Sequence, residues 1–192
     1  MKCLIFLTGC LVFLSCKNDS IPKPKGFLRL EYPNAAYSET DNSLPFTFEK
    51  NNLAQTTLKV KNSGKNQSIA INMSYPLLKG TIYLTYKRIT NLDLNRYLID
   101  AKNITQKHAQ KADAIIEQPY MDNVKNVYGM LYEIDGNVAS QSQFYVTDSL
   151  HHFVTGSVYF LAKPNYDSIL PAVNYLKKDI QHIIETIAWN SD

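Results

Sequence analysis

The chain is poor in the residues on which disulfide frameworks and phosphate-binding loops depend. It contains three cysteines, all within the first sixteen positions, and seven glycines in 192 residues. A chain cut before Cys16 would keep no second thiol for an intramolecular disulfide. No G-x-S-x-G, P-loop, dinucleotide-binding or H-E-x-x-H pattern occurs, so the sequence predicts no cofactor, no catalytic residue of these kinds and no small-molecule substrate.

Strong charge and a membrane-spanning run are missing as well. The 20 basic and 17 acidic residues are scattered along the chain, and the net charge of +3 predicts no nucleic-acid partner. No apolar run reaches the roughly 20 residues that cross a bilayer as a helix. The 45% hydrophobic content, with 13 Tyr and eight Phe, instead indicates a globular, strand-rich domain.

Metal-binding and carboxylate-based chemistry have little support in the sequence. His151 and His152 are adjacent, His108 falls on the apolar side of a predicted helix and His182 on a solvated side, so we predict no metal ligands. Three carboxylates stand near predicted strand ends: Glu133, Asp135 and Asp148. Nothing in the sequence marks any two of them as a pair for glycoside hydrolysis.

The first twenty residues, in contrast, carry a clear pattern. After Met1 and Lys2, residues 3–13 are nearly all apolar, which is typical of a secretory signal. Small residues precede both Cys10 and Cys16, as in the lipobox of bacterial lipoproteins. Cys10 has the closer local match, but cleavage there leaves an apolar core of only residues 3–7, below the usual 7–15. We therefore predict a signal peptide over residues 1–15 and lipidation of Cys16, the alternative being an ordinary signal peptide in which Cys16 is incidental.

The predicted lipid on Cys16 would anchor the protein without spanning the membrane. Residues 16–26 then form a linker in which Pro22 and Pro24 alternate with lysines, a composition that favours an extended, semi-rigid spacer. Residues 27–192 remain for one α+β domain.

The pattern of that domain is mostly period-two, as in half-buried strands. Strands are predicted at residues 27–32, 46–49, 57–61, 68–75, 81–87, 114–118, 125–134, 138–147 and 153–161. Segments 57–61 and 68–75 form a hairpin, Pro119 stops the strand before it, and Asp135-Gly136-Asn137 is a tight turn that begins a three-strand meander.

Two segments have helical periodicity instead. Residues 90–111 begin with a capping-box spacing of Thr90 and Asp93, and residues 165–190 place Pro171 in the first turn of a long helix. The second helix has one apolar stripe: Leu170, Val173, Leu176, Ile180, Ile184 and Ile187. The fold class is therefore α+β, a mostly antiparallel sheet built as a meander of hairpins and packed against two main helices.

One strand suggests a binding surface. On residues 138–147, small polar side chains occupy both faces, so part of the sheet lacks large apolar cover. We predict that the side formed by Gln141, Gln143 and Tyr145, with Tyr128 or Tyr132 beside it, binds a protein partner, because Tyr and amide side chains suit such surfaces. The alternative is an ordinary solvated sheet face.

Four stretches resemble the gliding-motility lipoprotein GldD family of Bacteroidetes-type bacteria: PKPKGFLRLEYP, VYGMLYEIDGNVASQSQFYVTDS, HHFVTGSVYF and KPNYDSILPAVNYLKKDIQHIIETIAW. The resemblance runs from the lipobox to Trp189 and departs most over residues 35–67. It implies an anchored, non-enzymatic component that serves gliding and the associated type IX secretion system and faces the periplasm, on the inner leaflet of the outer membrane in preference to the inner membrane. Its partners would be the membrane, through Cys16, and other proteins of that machinery.

The order of strands and closing helix is also similar to the Mog1/PsbP-like sandwich, which bears on fold alone. The alternative function is a lipid-anchored glycan-binding or glycan-hydrolysing protein of the cell envelope, for which abundant tyrosine is the hint.

Overall fold

A computed structural model describes residues 30–41, 43–63, 66–90, 92–107, 110–161 and 166–190. The predicted signal peptide, Cys16, the linker and His108 lie outside the described residues. Eleven strands are present in them: β1 Tyr37–Glu39, β2 Phe46–Thr47, β3 Glu49–Asn51, β4 Gln55–Ser63, β5 Asn66–Tyr75, β6 Gly80–Arg88, β7 Ala114–Asp122, β8 Val127–Asp135, β9 Ser142–Thr147, β10 His152–Phe160 and β11 Ala188–Trp189. Two α-helices accompany them, α1 Leu94–Gln106 and α2 Tyr166–Thr186.

Seven of the strands form one antiparallel sheet in the order β4-β5-β6-β10-β9-β8-β7. This arrangement confirms the α+β class, the hairpin of β4 and β5, and the meander of β8, β9 and β10. The two halves of the sheet join where β10 pairs with β6 along its whole length, from His152 opposite Arg88 to Phe160 opposite Gly80. The sequence alone did not indicate this non-local pairing.

The two helices cover opposite faces of the sheet. Paired residues of antiparallel strands point to the same side, so the register assigns each side chain to a face. On the first face, Ile71, Leu84 and Val154 pack with the stripe of α2 in the main core. On the second face, Phe153 packs with Ala101 of α1. The sheet is thus the middle of three layers.

Helix α2 owes its position to its apolar stripe. Val173, Leu176, Ile180 and Ile184 are buried, which confirms the predicted packing face. Burial of each such side chain contributes about 1.5–3 kcal/mol before the entropy of ordering is counted. Pro171 lies in the sixth position of the helix as described, and not in the first turn as predicted.

Three sequence predictions of element boundaries are wrong. Strand β7 continues through Pro119, which pairs opposite Met130, because β7 is an edge strand and proline there needs no ladder N–H. Helix α1 begins after Asp93, where the Thr90 hydroxyl donates to the Asp93 carboxylate instead of accepting a backbone N–H, and it ends at Gln106. Of the strand predicted at residues 27–32, residues 30–32 are not in a strand, and residues 27–29 lie outside the described residues.

The predicted tight turn at Asp135-Gly136-Asn137 is replaced by a longer connection. Strand β9 starts at Ser142, which pairs with Glu133, so residues 136–141 form a loop instead of extending the strand. Gly136 has φ of 111°, a conformation that favours glycine. Val138, Ser140 and Gln141 of this loop are nevertheless buried.

Two short ribbons complete the fold. Strand β1 pairs with β3, and β2 pairs with β11 at the carboxyl end of the chain. Phe46 of β2 stacks on Tyr86 of the large sheet at 5.4 Å between ring centroids. The amino-terminal segment is therefore fastened to the face of the sheet that α2 also covers.

Candidate functional site

The predicted partner surface lies beneath α1. Gln143 and Tyr145 point to the second face of the sheet from β9, and Gln141 ends the loop before that strand. Only 1% of Gln141 and 4% of Gln143 is exposed, whereas Tyr145 is partly buried. The expectation that this side lacks cover is wrong, because α1, about forty residues earlier in the chain, packs over it. Partner binding at Tyr145 itself stays a prediction.

Gln143 is held at one end and unpaired at the other. The Thr105 hydroxyl of α1 donates to Gln143 Oε1 at 2.9 Å. Among the described residues, no hydrogen-bond partner exists for Gln143 Nε2, which is fully buried. A buried amide donor without a partner costs about 1–3 kcal/mol. It is therefore a position at which a ligand or a water molecule gains a hydrogen bond.

A cleft of about 790 Å³ separates α1 from the sheet beside this amide. Its sheet side presents Thr85, Lys87, Phe153 and Thr155, and its other side is formed by residues of α1 between Tyr97 and Gln106, together with Lys107 and Gln110. A smaller recess of about 60 Å³ adjoins it, sharing Ala101, Ile104 and Thr155, and is lined by the following further residues: Thr105, Tyr132, Gln143, Phe144, Gly156 and Ser157. A volume of several hundred Å³ is typical of ligand pockets.

Three charged side chains border the cleft, and the other described residues that line the two spaces are apolar or carry hydroxyl or amide groups. Burial raises the pKa of Tyr132 to about 12, with smaller contributions from Tyr145 and Glu117, so its hydroxyl stays protonated at neutral pH. Lys87 Nζ lies 4.5 Å from the centroid of the Tyr97 ring, and this cation–π contact holds the ammonium group at one side. Hydroxyl and amide groups therefore share the interior with apolar surface.

A second polar cluster lies on the opposite face of the sheet, where α2 meets β1 and β3. Asp179 of α2 is 2% exposed. Its Oδ1 accepts the Tyr37 hydroxyl at 2.8 Å, and both of its oxygens accept from Asn51 Nδ2 at 3.1 and 3.0 Å. Burial raises the pKa of Asp179, although the donors oppose that rise. Burial and the neighbouring Asp179 likewise raise the pKa of the Tyr37 hydroxyl.

Sequence reasoning missed this cluster. The signal was an acidic residue between Leu176 and Ile180, on the side of the helix that the apolar stripe buries. A carboxylate there requires hydrogen-bond donors from elsewhere in the fold. Tyr37 and Asn51, however, lie more than 120 positions away in the chain, at separations of 142 and 128.

The described histidines have structural contacts. His151 is exposed beside Asp148, whereas His152 is buried, with Nδ1 3.1 Å from the Tyr86 hydroxyl and its ring stacked on Trp189 at 5.0 Å. His182 is not a solvated position as predicted, because its ring stacks on Tyr37 at 3.7 Å and its Nε2 lies 2.7 Å from Glu49 Oε2.

The carboxylates near strand ends also bind within the protein. Lys177 Nζ lies 3.1 Å from Glu133 and 3.4 Å from Asp135, and the Tyr166 hydroxyl donates to Asp135 at 2.6 Å. Asp148 accepts the backbone N–H groups of residues 150–152. In the described part of the chain, no group of three or more His, Cys, Asp or Glu side chains is arranged to hold a metal ion.

None of the helices in the described ranges is both long and apolar enough to cross a bilayer. In comparisons with known proteins, a family model described as gliding motility lipoprotein GldD matches residues 17–189 of the chain. No curated protein and no solved structure shows significant similarity to it. The likeness to the Mog1/PsbP sandwich therefore stays a prediction.

Proposed function

The chain belongs to the gliding motility lipoprotein GldD family, and we propose that it is a lipid-anchored, non-enzymatic accessory or assembly component of the gliding machinery and of the type IX secretion system associated with it. One observation carries the proposal. The family match begins at residue 17, directly after Cys16, and continues to residue 189, so it extends over the linker and the folded domain together.

The position of the match supports Cys16, and not Cys10, as the lipidated residue. Cleavage before Cys16 makes that residue the first of the mature chain, and the family resemblance starts one residue later. Residues 17–26 would then separate the membrane from the domain by up to roughly 30 Å, at about 3.1 Å per residue in an extended proline-rich chain. A lipoprotein of this machinery suggests a membrane-anchored location in the cell envelope, and we propose the periplasmic face of the outer membrane.

Two observations support a non-enzymatic role. The family is one of gliding motility lipoproteins and is not a known enzyme family. In addition, the acidic side chains on the α2 face are bound by neighbouring groups of the fold, with Lys177 between Glu133 and Asp135 and with Asp179 beneath Tyr37. Such contacts satisfy carboxylates structurally. A scaffold or assembly function requires this stability and no reactive group.

The anchor is tested by metabolic labelling with an alkyne analogue of palmitate. Cys16→Ala should abolish labelling, and the matched variant Cys10→Ala should leave it unchanged, because only Cys16 leaves an apolar segment of sufficient length before the cleavage point. Labelling that survives Cys16→Ala, or that is lost with Cys10→Ala alone, would contradict the assignment.

The role is tested by clean deletion, scored for spreading on agar and for secretion of cargo proteins. Loss of both, with rescue by the wild-type gene and not by Cys16→Ala, is the expected result because the anchored domain would have to act at the membrane. Intact spreading and secretion in the deletion strain would refute the proposal.

A further inference from the structure

We propose that the cleft beneath α1 is a binding site for a neutral glycan that contains N-acetylated amino sugars, with the acetamido group placed in the recess beside Gln143. This site goes beyond the role in gliding and secretion, and it can be tested on the purified protein. Three features of the described residues carry the proposal: the two-part shape of the space, the uncharged hydrogen-bonding groups that line it, and an aromatic pair on the same face.

The space has two parts, an outer cleft that would hold a sugar ring and a recess that would hold a substituent of that ring. The outer cleft of about 790 Å³ has room for sugar rings, whereas the recess of about 60 Å³ has room for one small group. The two spaces meet at Ala101, Ile104 and Thr155, so a ring in the cleft can extend a substituent past these residues.

The recess suits an acetamido group chemically. Gln143 Nε2 is a buried donor without a partner among the described residues, and an acetamido carbonyl oxygen is an acceptor of matching kind. Ala101 and Ile104 supply apolar surface for the methyl group. The Thr105 hydroxyl fixes the amide by donating to its oxygen, so the nitrogen is the end that remains for a ligand. A hydroxyl alone would use the donor but leave this apolar surface uncovered.

The outer cleft and its surroundings suit sugar rings. Thr85 and Thr155 pair across β6 and β10 and present hydroxyl groups, which both donate and accept. Along the same face, Tyr83 and Tyr159 are 40% and 36% exposed, and their rings meet edge to face at 5.8 Å. Tyr83 is two residues from Thr85, a distance of roughly 7 Å along a strand. The apolar face of a further sugar unit can stack there.

A protein segment is the competing occupant, and the charges favour it less. Among the described residues of the lining, Asp100, Lys87 and Lys107 are charged, they include both signs, and Lys87 already lies over the Tyr97 ring. None of the described residues that line the recess is charged. A small neutral group can enter the recess that Gln143 lines, whereas the surface of a folded partner cannot.

The test uses the full chain purified in detergent and two probes of equal length, N-acetylglucosamine trimer and glucose trimer, titrated with detection by NMR and calorimetry. We expect the N-acetylated probe to bind at least tenfold more tightly, with chemical shifts that change at Thr85, Gln143 and Thr155. Gln143→Met keeps the volume but removes the donor, and it should reduce this preference to about twofold or less.

A blocking variant and its control complete the design. Ile104 borders both spaces and is 46% exposed, so Ile104→Trp should weaken binding of the N-acetylated trimer at least tenfold. Ile99 is 52% exposed on the same helix and lines neither space, so Ile99→Trp should leave binding unchanged. Thermal melting checks the fold of each variant, and Thr155→Val replaces any variant that does not fold.

The outcomes separate clearly. Absence of binding to either trimer overturns the proposal, as does an equal affinity for both that Gln143→Met does not alter. Binding that Ile104→Trp leaves intact would locate the ligand elsewhere and would also overturn it, as would occupation of the cleft by a peptide but not by glycan. None of these results depends on whether the deletion strain glides, so failure here is distinguishable from failure of the proposed function.

Discussion

Asp179→Ala tests whether the buried cluster fastens the amino-terminal segment to α2. The change removes the acceptor for the Tyr37 hydroxyl and for the buried Asn51 amide. Hydrogen bonds to a charged acceptor contribute about 1.5–3 kcal/mol each. Removal of the buried carboxylate also removes its desolvation penalty, which offsets part of that loss. We therefore expect the free energy of unfolding to fall by about 2–4 kcal/mol at pH 7. At about 2–4 °C per kcal/mol for a chain of this size, the melting temperature should fall by about 4–16 °C.

A double-mutant cycle with Tyr37→Phe isolates one of these hydrogen bonds. Phenylalanine keeps the ring that stacks on His182 and removes only the hydroxyl. We expect a loss of about 1–2 kcal/mol alone, and a coupling energy of about 1–2 kcal/mol with Asp179→Ala, because residues in contact are not additive. The measurement is urea unfolding followed by circular dichroism. Additive losses, or a loss below about 0.5 kcal/mol for Asp179→Ala, would refute the assignment of this cluster as a fastening point.

The pH dependence gives an independent check with a definite sign. Burial raises the pKa of Asp179 in the folded protein above the unfolded value of about 3.9. Between about pH 3.9 and the higher pKa of the folded state, the folded protein binds more protons than the unfolded protein. The stabilisation that Asp179 contributes is therefore fully present below about pH 4 and declines as the pH rises. The stability difference between wild type and Asp179→Ala should be larger at pH 4 than at pH 7. A difference that grows with pH would mean that the donors outweigh burial.

Two further predictions concern the sheet and its turns. Gly156→Ala would place a Cβ 2.0 Å from Phe144 Cε1 and 2.8 Å from Leu84 Cδ2. We therefore expect overpacking to reduce the free energy of unfolding, measured by urea titration, by about 1–3 kcal/mol. An unchanged unfolding midpoint would contradict the described core. Asp148→Ala removes the acceptor of three backbone N–H groups, which outweigh burial and lower the pKa of this carboxyl. We expect this variant to lose about 1–3 kcal/mol of unfolding free energy at pH 7, and the loss should disappear as the pH falls through the lowered pKa. Melting curves at several pH values measure this loss. A loss that persists at low pH would contradict this account.

Local patterns were sufficient for most of the fold. Alternation located β4, β5, β6, β8 and β10, and the apolar stripe located α2, because both patterns reflect which side of an element is buried. The errors arose where the outcome depends on neighbours in space. Pro119 would end a central strand but is tolerated in β7 at the edge, and edge position follows from the order of the strands, which the sequence does not display.

The loop before β9 shows the same limit in a turn. Asp135-Gly136-Asn137 is a favourable hairpin sequence, and Gly136 does adopt positive φ. The chain nevertheless pairs Glu133 with Ser142, and the residues between them bury Val138 and Gln141. The longer loop is stabilised by burial of these side chains and by the hydrogen bond that Gln141 donates to the Val138 carbonyl. Neither effect can be read from the turn sequence alone.

The candidate site illustrates how a strand pattern can identify a face and still misjudge it. Period-two spacing placed Gln143 and Tyr145 together, and the structure keeps them on one side of β9, but it also packs α1 over them. Gln143→Arg would consequently bury a charge and report on stability, so it cannot test partner binding. Of Gln141, Gln143 and Tyr145, Tyr145 alone retains partial exposure. The buried amide is informative for a different reason, because its unpaired nitrogen needs an acceptor that reaches it through the cleft. The same polar residues that suggested a surface for proteins therefore favour a pocket for a small, neutral group.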